Sequence, residues 1–353
     1  MKTSPSQAKN QSEAGNLFFS DSLKYLVGGM PSRSQEIIFS RYGVFASHTM
    51  TLEEIGKKYH VTRERVRQII REVLRKVREK KDNPTFLQIQ EKISLALRTN
   101  GGIMEKKQLL FVLGKGNVSE EAAISFFLEC IGNIAGNEIS GELKFSYAMD
   151  GFDIERWRVV KNAAIAVLKS QKNPLTFDEL FKKINTENEN LDLSRELLAN
   201  YLEVSDEIKR NTFDKWGISK WKEISPKGTR EKAYLVLKES GKPLHFRDIA
   251  KEIDKYHLNK KKTHPQTVHN ELIKDNNFVL VGRGIYALVE WGYKKGTVKD
   301  VIEEILKNSQ RPLNREEVLS KVLDVRQVKK STIVINLNNF FSKSNSGAYS
   351  IKK

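Results

Sequence analysis

The chain has 353 residues and carries 61 Lys and Arg against 44 Asp and Glu, a formal charge of +17. With 39% hydrophobic and 30% charged residues it falls outside the disordered class, and no apolar run reaches the roughly 20 residues of a membrane span. One cysteine, Cys130, excludes an intramolecular disulfide and cysteine-rich zinc sites, and its apolar neighbours from Phe126 to Ile131 mark it as a buried structural thiol.

The excess of positive charge points to a polyanionic partner, because Lys and Arg gain by releasing counterions condensed on nucleic acid. A solvated basic surface gives the same sum, so position has to decide. Met1 to Asn16 is polar, rich in Ser, Gln, Asn and Lys, and lacks the apolar stretch of a signal peptide. A mobile tail over residues 1–20 and cytoplasmic residence are therefore expected. A first domain is expected over 21–82. In it, Ser34 to Tyr42 predicts a supporting helix closed by Gly43 as C-terminal cap. Leu52 to Tyr59 predicts a short second helix, and Thr62 is a good N-cap for a third. Gly56 would let those two helices approach closely, while His60 stands at the turn, where a left-handed backbone is often needed.

The third helix holds the densest basic run of the chain: Arg63, Arg65, Arg67, Arg71, Arg75, Lys76, Arg78, Lys80 and Lys81, interrupted only by Glu64, Glu72 and Glu79 among acids. Val66, Ile69, Ile70, Val73, Leu74 and Val77 recur at three- and four-residue spacing, which makes one buried stripe and leaves the arginines outward. Helix, tight turn and cationic helix together read as a helix-turn-helix that binds double-stranded DNA.

The rest of the chain repeats at a period of about 70 residues. Leu168 with Pro174-Leu175, Leu237 with Pro243-Leu244, and Leu306 with Pro312-Leu313 recur in register. Each copy continues with an amphipathic helix expected to end at Ile184, Ile253 or Val322. Each closes on a Gly-led alternating stretch, Gly217 to Trp221, Gly284 to Leu288 and Gly347 to Ile351, that reads as a short hairpin strand. A degenerate copy without the proline lies between Phe86 and Asp150, with Leu97, Gly101, Gly102 and Leu109 in comparable places. The expected fold is mainly α, a helix-turn-helix domain followed by tandem winged-helix domains (α with a small β-hairpin) over 84–153, 157–227, 228–294 and 296–353.

Thr51 to Gly56 and Val61 to Ile69, led in by Arg41-Tyr42-Gly43, closely resemble region 4 of the sigma-70 family of transcription initiation factors, over about 26–78. The resemblance implies that Arg63, Glu64, Arg67 and Gln68 face the major groove of a minus-35-type promoter element and that Arg65 and Arg71 reach phosphates. It also implies contact with the beta flap of bacterial RNA polymerase core. The side-chain chemistry agrees: Arg suits guanine edges, Gln adenine, and Glu the cytosine amino group. The expected DNA-binding set is Thr62, Arg63, Glu64, Arg65, Arg67, Gln68, Arg71 and Arg75. Few residues precede Leu26, so the DNA-melting domain of a full sigma factor is expected to be lacking.

Arg230 to Ala233, Pro243 to Ile249 and Val281 to Leu288 resemble a HARE-type helix-turn-helix over about 229–293, which implies nucleic-acid or polymerase-associated work. Within it, Lys260, Lys261, Lys262, Gln266 and Arg283 form a possible second DNA contact, with a solvated lysine loop as the plain alternative. His264 and His269 lack the i, i+4 spacing of a helical zinc pair, so neither metal nor other cofactor is expected. Trp157, Trp216, Trp221 and Trp291 read as core fillers rather than base-stacking platforms. No P-loop, Gly-x-Ser-x-Gly elbow or His-Glu-x-x-His stands in the chain, which is expected to bind rather than catalyse. The rival expectation is a DNA-tethered adaptor of a restriction, modification or nucleoid system whose winged helices bind proteins.

Overall fold

A computed structural model of the chain describes residues 17–46, 48–188, 191–293, 296–309, 311–326, 328–344 and 347–352. Most of the tail expected over 1–20 lies outside these residues. Its last part does not: α1 (Phe18–Val27) buries Phe19 and Leu23, whose apolar side chains make helix rather than tail of this stretch.

Three further helices follow, α2 (Ser32–Tyr42), α3 (Leu52–Tyr59) and α4 (Arg63–Glu79). The order helix, short strand, helix, helix, strand, strand then runs along the chain. It appears first as α5 (Pro84–Thr99), β1 (Ile103–Glu105), α6 (Lys106–Gly114), α7 (Val118–Cys130), β2 (Ile134–Ile139) and β3 (Leu143–Met149). It recurs as α8 (Ile154–Gln171), β4 (Leu175–Thr176), α9 (Phe177–Glu187), α10 (Arg195–Glu203), β5 (Ile208–Arg210) and β6 (Lys215–Ile218). The HARE-like stretch gives α11 (Thr229–Ser240), β7 (Leu244–His245), α12 (Phe246–Lys255), α13 (Pro265–Lys274), β8 (Phe278–Gly282) and β9 (Ile285–Leu288). The last copy has α14 (Val298–Lys307), α15 (Arg315–Val325), α16 (Lys330–Phe340), β10 (Phe341–Lys343) and β11 (Tyr349–Ile351). The fold is mainly α with small antiparallel sheets, as expected. No described helix is long and apolar enough to cross a membrane.

The Pro-Leu lead-in has a role that periodicity does not reveal. Its leucine forms a short strand against the wing and faces an aromatic residue: Leu175 opposite Trp216, Leu244 opposite Tyr286, and Leu313 bridging Tyr349. In the copy without proline, Met104 opposite Tyr147 takes the same place. The expected two-stranded hairpin is thus a three-stranded sheet in the orders β1-β3-β2 and β7-β9-β8. The leucine-aromatic pair fixes the wing's register through side-chain packing.

Three helix ends shift: Ile184, Ile253 and Val322 are fully buried, but their helices continue for two or three residues, through polar positions in α9 and α12 and through Leu323 and Val325, which still pack on the core, in α15. Gly284 and Gly347 do occupy left-handed positions at the wing turns, with φ of 71° and 83°. Gly217 instead lies inside β6, where a Cβ would come within 2.7 Å of Ile224, and the left-handed residue of that wing is Asp214.

The chain divides into two compact units, one of residues up to Gln171 together with Phe177–Lys209, the other of Lys172–Thr176 with Arg210 onward. In the first, one large apolar core joins Leu23, Leu26 and Val27 of α1, Val73, Leu74 and Val77 of α4, Phe86 and Ile89 of α5, and Phe126 and Phe127 of α7. The helix-turn-helix and the copy after it therefore share a core across the boundary expected at 82–84. Cys130 is buried in this core, and desolvation pushes its thiol up to about 12. Trp157 and Trp216 are buried as expected of core fillers, Trp157 donating its indole N–H to the Tyr201 carbonyl at 3.1 Å.

Candidate nucleic-acid interface

The helix-turn-helix is assembled by local chemistry. Thr51 caps α3 through a reciprocal box, its Oγ1 accepting from Glu54 N at 3.2 Å while Glu54 Oε2 accepts from Thr51 N at 2.7 Å. The turn opens at His60, whose φ of 51° and ψ of 49° place it in the left-handed region, as its position suggested. Gly56 is packed so closely that a Cβ would stand 2.7 Å from the Val61 carbonyl oxygen, which explains the glycine. Thr62 then caps α4, Oγ1 accepting from Arg65 N at 3.2 Å. Ile37, Ile55 and Val66, all fully buried, lock α2, α3 and α4 together. Arg33 donates to the Tyr59 carbonyl at the end of α3, and the Tyr59 hydroxyl donates to Glu36 at 3.0 Å, so α2 also holds α3 by polar contacts.

The N-terminal half of α4 rests on this small core and its C-terminal half on the large one, which leaves an outward face along the helix. Glu64, Gln68, Arg71 and Arg75 lie at successive three- and four-residue spacings on that face, all exposed, with Arg67 half-buried beside them and Arg65 exposed at its flank. From Glu64 to Arg75 the face extends about 17 Å at 1.5 Å per residue, enough to follow a DNA groove and one flanking backbone.

The charges on the face are not all equally free. Arg67 grips Glu64 through both of its forks, Nε donating to Oε2 at 2.8 Å, and this guanidinium holds the Glu64 carboxyl below the usual carboxylate range. Arg65 Nη1 donates to Gln68 Oε1 at 3.2 Å. Arg75 bridges Glu72 and Glu79, and keeps Glu72 at about 2. Arg63 and Arg71 have no carboxylate partner among the described residues and stand exposed. Arg78 and Lys80 belong to the fold: Arg78 Nη2 donates to the Glu129 carbonyl at 2.7 Å and Lys80 Nζ to the Leu26 carbonyl at 2.6 Å. The structure thus separates a basic run that reads as uniform into free cations, intrahelical pairs and two side chains clamped on backbone carbonyls.

In the second unit, Lys260, Lys261 and Lys262 are exposed on the loop before α13. That loop is tied at Thr263, whose N–H donates to Asp254 Oδ1 at 2.8 Å and whose hydroxyl accepts from Asn259 at 2.7 Å. Gln266 lies in the first turn of α13, its amide donating to Asn270 Oδ1 at 3.2 Å, and Arg283 stands exposed at the β8–β9 turn. Arg283 lines a cleft with His245, Phe246, Arg247 and His269, none of which the sequence marked as a nucleic-acid contact. The three lysines do not line it.

A three-helix core with a left-handed turn, a close Gly contact and an outward cationic helix defines a helix-turn-helix of the DNA-binding class, followed here by winged helices. Comparison with known proteins gives the same two parts. Residues 26–79 match the family "Sigma-70, region 4", and residues 229–291 match the HARE-HTH family, a helix-turn-helix domain described from restriction endonucleases among other proteins. A 59-residue stretch is 39% identical to an RNA polymerase sigma-C factor of Nostoc sp. strain PCC 7120, covering 17% of this chain and 14% of that protein. The chain therefore carries a sigma-like helix-turn-helix module and a HARE-type one, and spans only a small part of the curated relative's length.

Proposed function

We propose that this protein binds DNA sequence-specifically in bacterial transcription initiation, with α4 reading a minus-35-type promoter element. The observation that carries this reading is the exposed face of Arg63, Glu64, Arg67, Gln68 and Arg71 on a helix-turn-helix that matches sigma-70 region 4. Arg63 and Arg71, which have no carboxylate partner among the described residues, supply base or phosphate contacts without first breaking an ion pair. Arg67 and Glu64 exchange their mutual pair for a guanine edge and a cytosine amino group, and Gln68 turns its amide to adenine. The winged helices add DNA or polymerase contacts, and the work is binding, with no bond made or broken. RNA polymerase core, through its beta flap, is the protein partner, and the protein resides in the cytoplasm at the nucleoid.

The test is co-purification: the tagged full chain is expected to retain core RNA polymerase after nuclease treatment. Retention of DNA-modification or nucleoid proteins in place of polymerase would replace this reading with that of a DNA-tethered adaptor.

A further inference from the structure

Elsewhere in the second unit, Arg230 is held by Glu271 at 2.7 Å and Arg311 by Glu317 at 2.6 Å, while Arg315 stands exposed at the start of α15. Arg247 and Arg283 have no carboxylate partner among the described residues, yet they converge on one cleft of about 430 Å³. They come from different elements, Arg247 from the first turn of α12 and Arg283 from the wing turn. His245, Phe246, His269 and Gly284 complete the lining, and no carboxylate is part of it. The nearest acid in sequence, Asp248, is engaged by Lys251 at 3.0 Å. Two exposed guanidiniums without a carboxylate partner among the described residues, on the lining of one acid-free cleft, stand where a single anion would meet both.

The cleft is also held in shape before anything binds. The wing turn is pinned to the start of α12, Phe246 N donating to the Gly284 carbonyl at 2.9 Å. A Cβ on Gly284, whose φ is 71°, would lie 2.6 Å from His245 Nε2, so the wing backbone rests directly on the imidazole. His245 Nδ1 accepts from Arg247 N at 3.2 Å, which ties the imidazole to the first turn of α12. The rings of His245, Phe246 and His269 pack in a row, tilted by 31° and 58° with centroids 4.5 and 4.7 Å apart, which holds His269 of α13 against α12. The backbone next to Arg283 is thereby pinned to the start of α12, which carries Arg247.

We propose that this cleft seats a backbone phosphate of a nucleic acid, with Arg247 and Arg283 as its charged donors. An extended polyanion fits better than a free anion. Both arginines are exposed and come from different elements, and the same domain carries Lys260 to Lys262 exposed on the loop that leads into α13, so its free cations are spread over several elements rather than gathered at a point. This inference rests on the reading that the HARE-type domain contacts nucleic acid, but not on α4 recognising a promoter.

The experiment uses the full chain and a fluorescein-labelled duplex of random sequence, with anisotropy followed across a salt series. Arg247→Ala with Arg283→Ala is expected to weaken binding several-fold and to lower the slope of log K against log salt by about 1 for each phosphate lost. Arg230→Ala, which removes an arginine of the same domain already paired to Glu271, is expected to leave the slope unchanged. An unchanged slope in the double variant, or an equal fall in the Arg230 variant, overturns the proposal. So does protection of the cleft by inorganic phosphate with no change in the DNA slope, which would make it a free-anion site. Arg63→Ala with Arg71→Ala is run beside these: if that variant binds as tightly as the parent while the cleft variant loses slope, the α4 reading fails and the cleft stands.

Discussion

Glu120 offers a sharp test of how the helix-turn-helix is built into its surroundings. Helix α1 has no side-chain N-cap of its own, because Leu17 stands at that position. Glu120, from the first turn of α7, takes over the task with both carboxylate oxygens: Oε2 accepts from Phe19 N at 2.9 Å, and Oε1 accepts from Ser20 N at 2.8 Å and Ser20 Oγ at 2.6 Å. The side chain is 6% exposed, so water cannot replace it once removed. Losing an N-cap costs about 1 kcal/mol, and stranding buried donors of charge-assisted bonds adds about 1–3 kcal/mol. Glu120→Ala is therefore expected to destabilise the first unit by roughly 2 to 4 kcal/mol, or some 5 to 15 °C in Tm for a unit of this size. Glu120→Gln is expected to cost less, about 1–2 kcal/mol, since its carbonyl can keep both Ser20 bonds while its amide opposes only Phe19 N. Urea unfolding with circular dichroism, run on the parent and both variants, reads these values. A loss below about 0.5 kcal/mol in both would refute the capping role, since that is the range of an ordinary surface substitution.

Gly56→Ala gains up to about 1 kcal/mol of helix propensity but forces a Cβ against a backbone carbonyl, an overpacking cost of about 1–3 kcal/mol. Net destabilisation together with weaker DNA binding is expected by urea unfolding and anisotropy, and a stabilised variant that binds normally would contradict the close turn. Arg71→Ala is expected to lower the salt slope of DNA binding by about 1, whereas Arg78→Ala lowers stability and leaves the slope intact, because Arg78 already serves the Glu129 carbonyl. Equal slope losses in the two would show that the fold does not divide the basic run. Cys130 is pushed up to about 12, so the folded chain keeps its proton after the unfolded chain releases it. Its contribution is complete below the unfolded value of about 8.5 and falls as pH rises from there, by up to about 1.4 kcal/mol per pH unit. Cys130→Ala should therefore lose stability less steeply than the parent between about pH 8.5 and 10, and parallel curves would count against a buried thiol.

Local chemistry made much of the first module legible. Gly43, Gly56, His60 and Thr62 each occupy the conformation or contact that their residue type favours, and the apolar stripe from Val66 to Val77 sets which face of α4 is outward. The Thr51–Glu54 box was missed, although its signal, a Thr followed three residues later by Glu, stands in the sequence. What stayed hidden is non-local. Strands of two or three residues, such as Leu175–Thr176 and Leu244–His245, are too short to leave an alternating pattern and exist because a wing strand pairs with them. A charge sum cannot distinguish Arg71, which faces solvent, from Arg78 and Lys80, which reach backbone carbonyls 51 and 54 residues away. His245 and Arg247 likewise join Arg283 only once β7 is laid against β9.

The central claim is that α4 reads sequence, and the most direct measurement is selection from random duplex DNA by the full chain beside an Arg67→Ala, Gln68→Ala variant at near-physiological salt. An enriched minus-35-like motif, lost by the variant through a roughly five- to hundredfold fall in discrimination at the bases concerned, is the expected result. Salt-sensitive binding with no motif, equal in parent and variant, would contradict the claim and leave α4 a sequence-blind anchor.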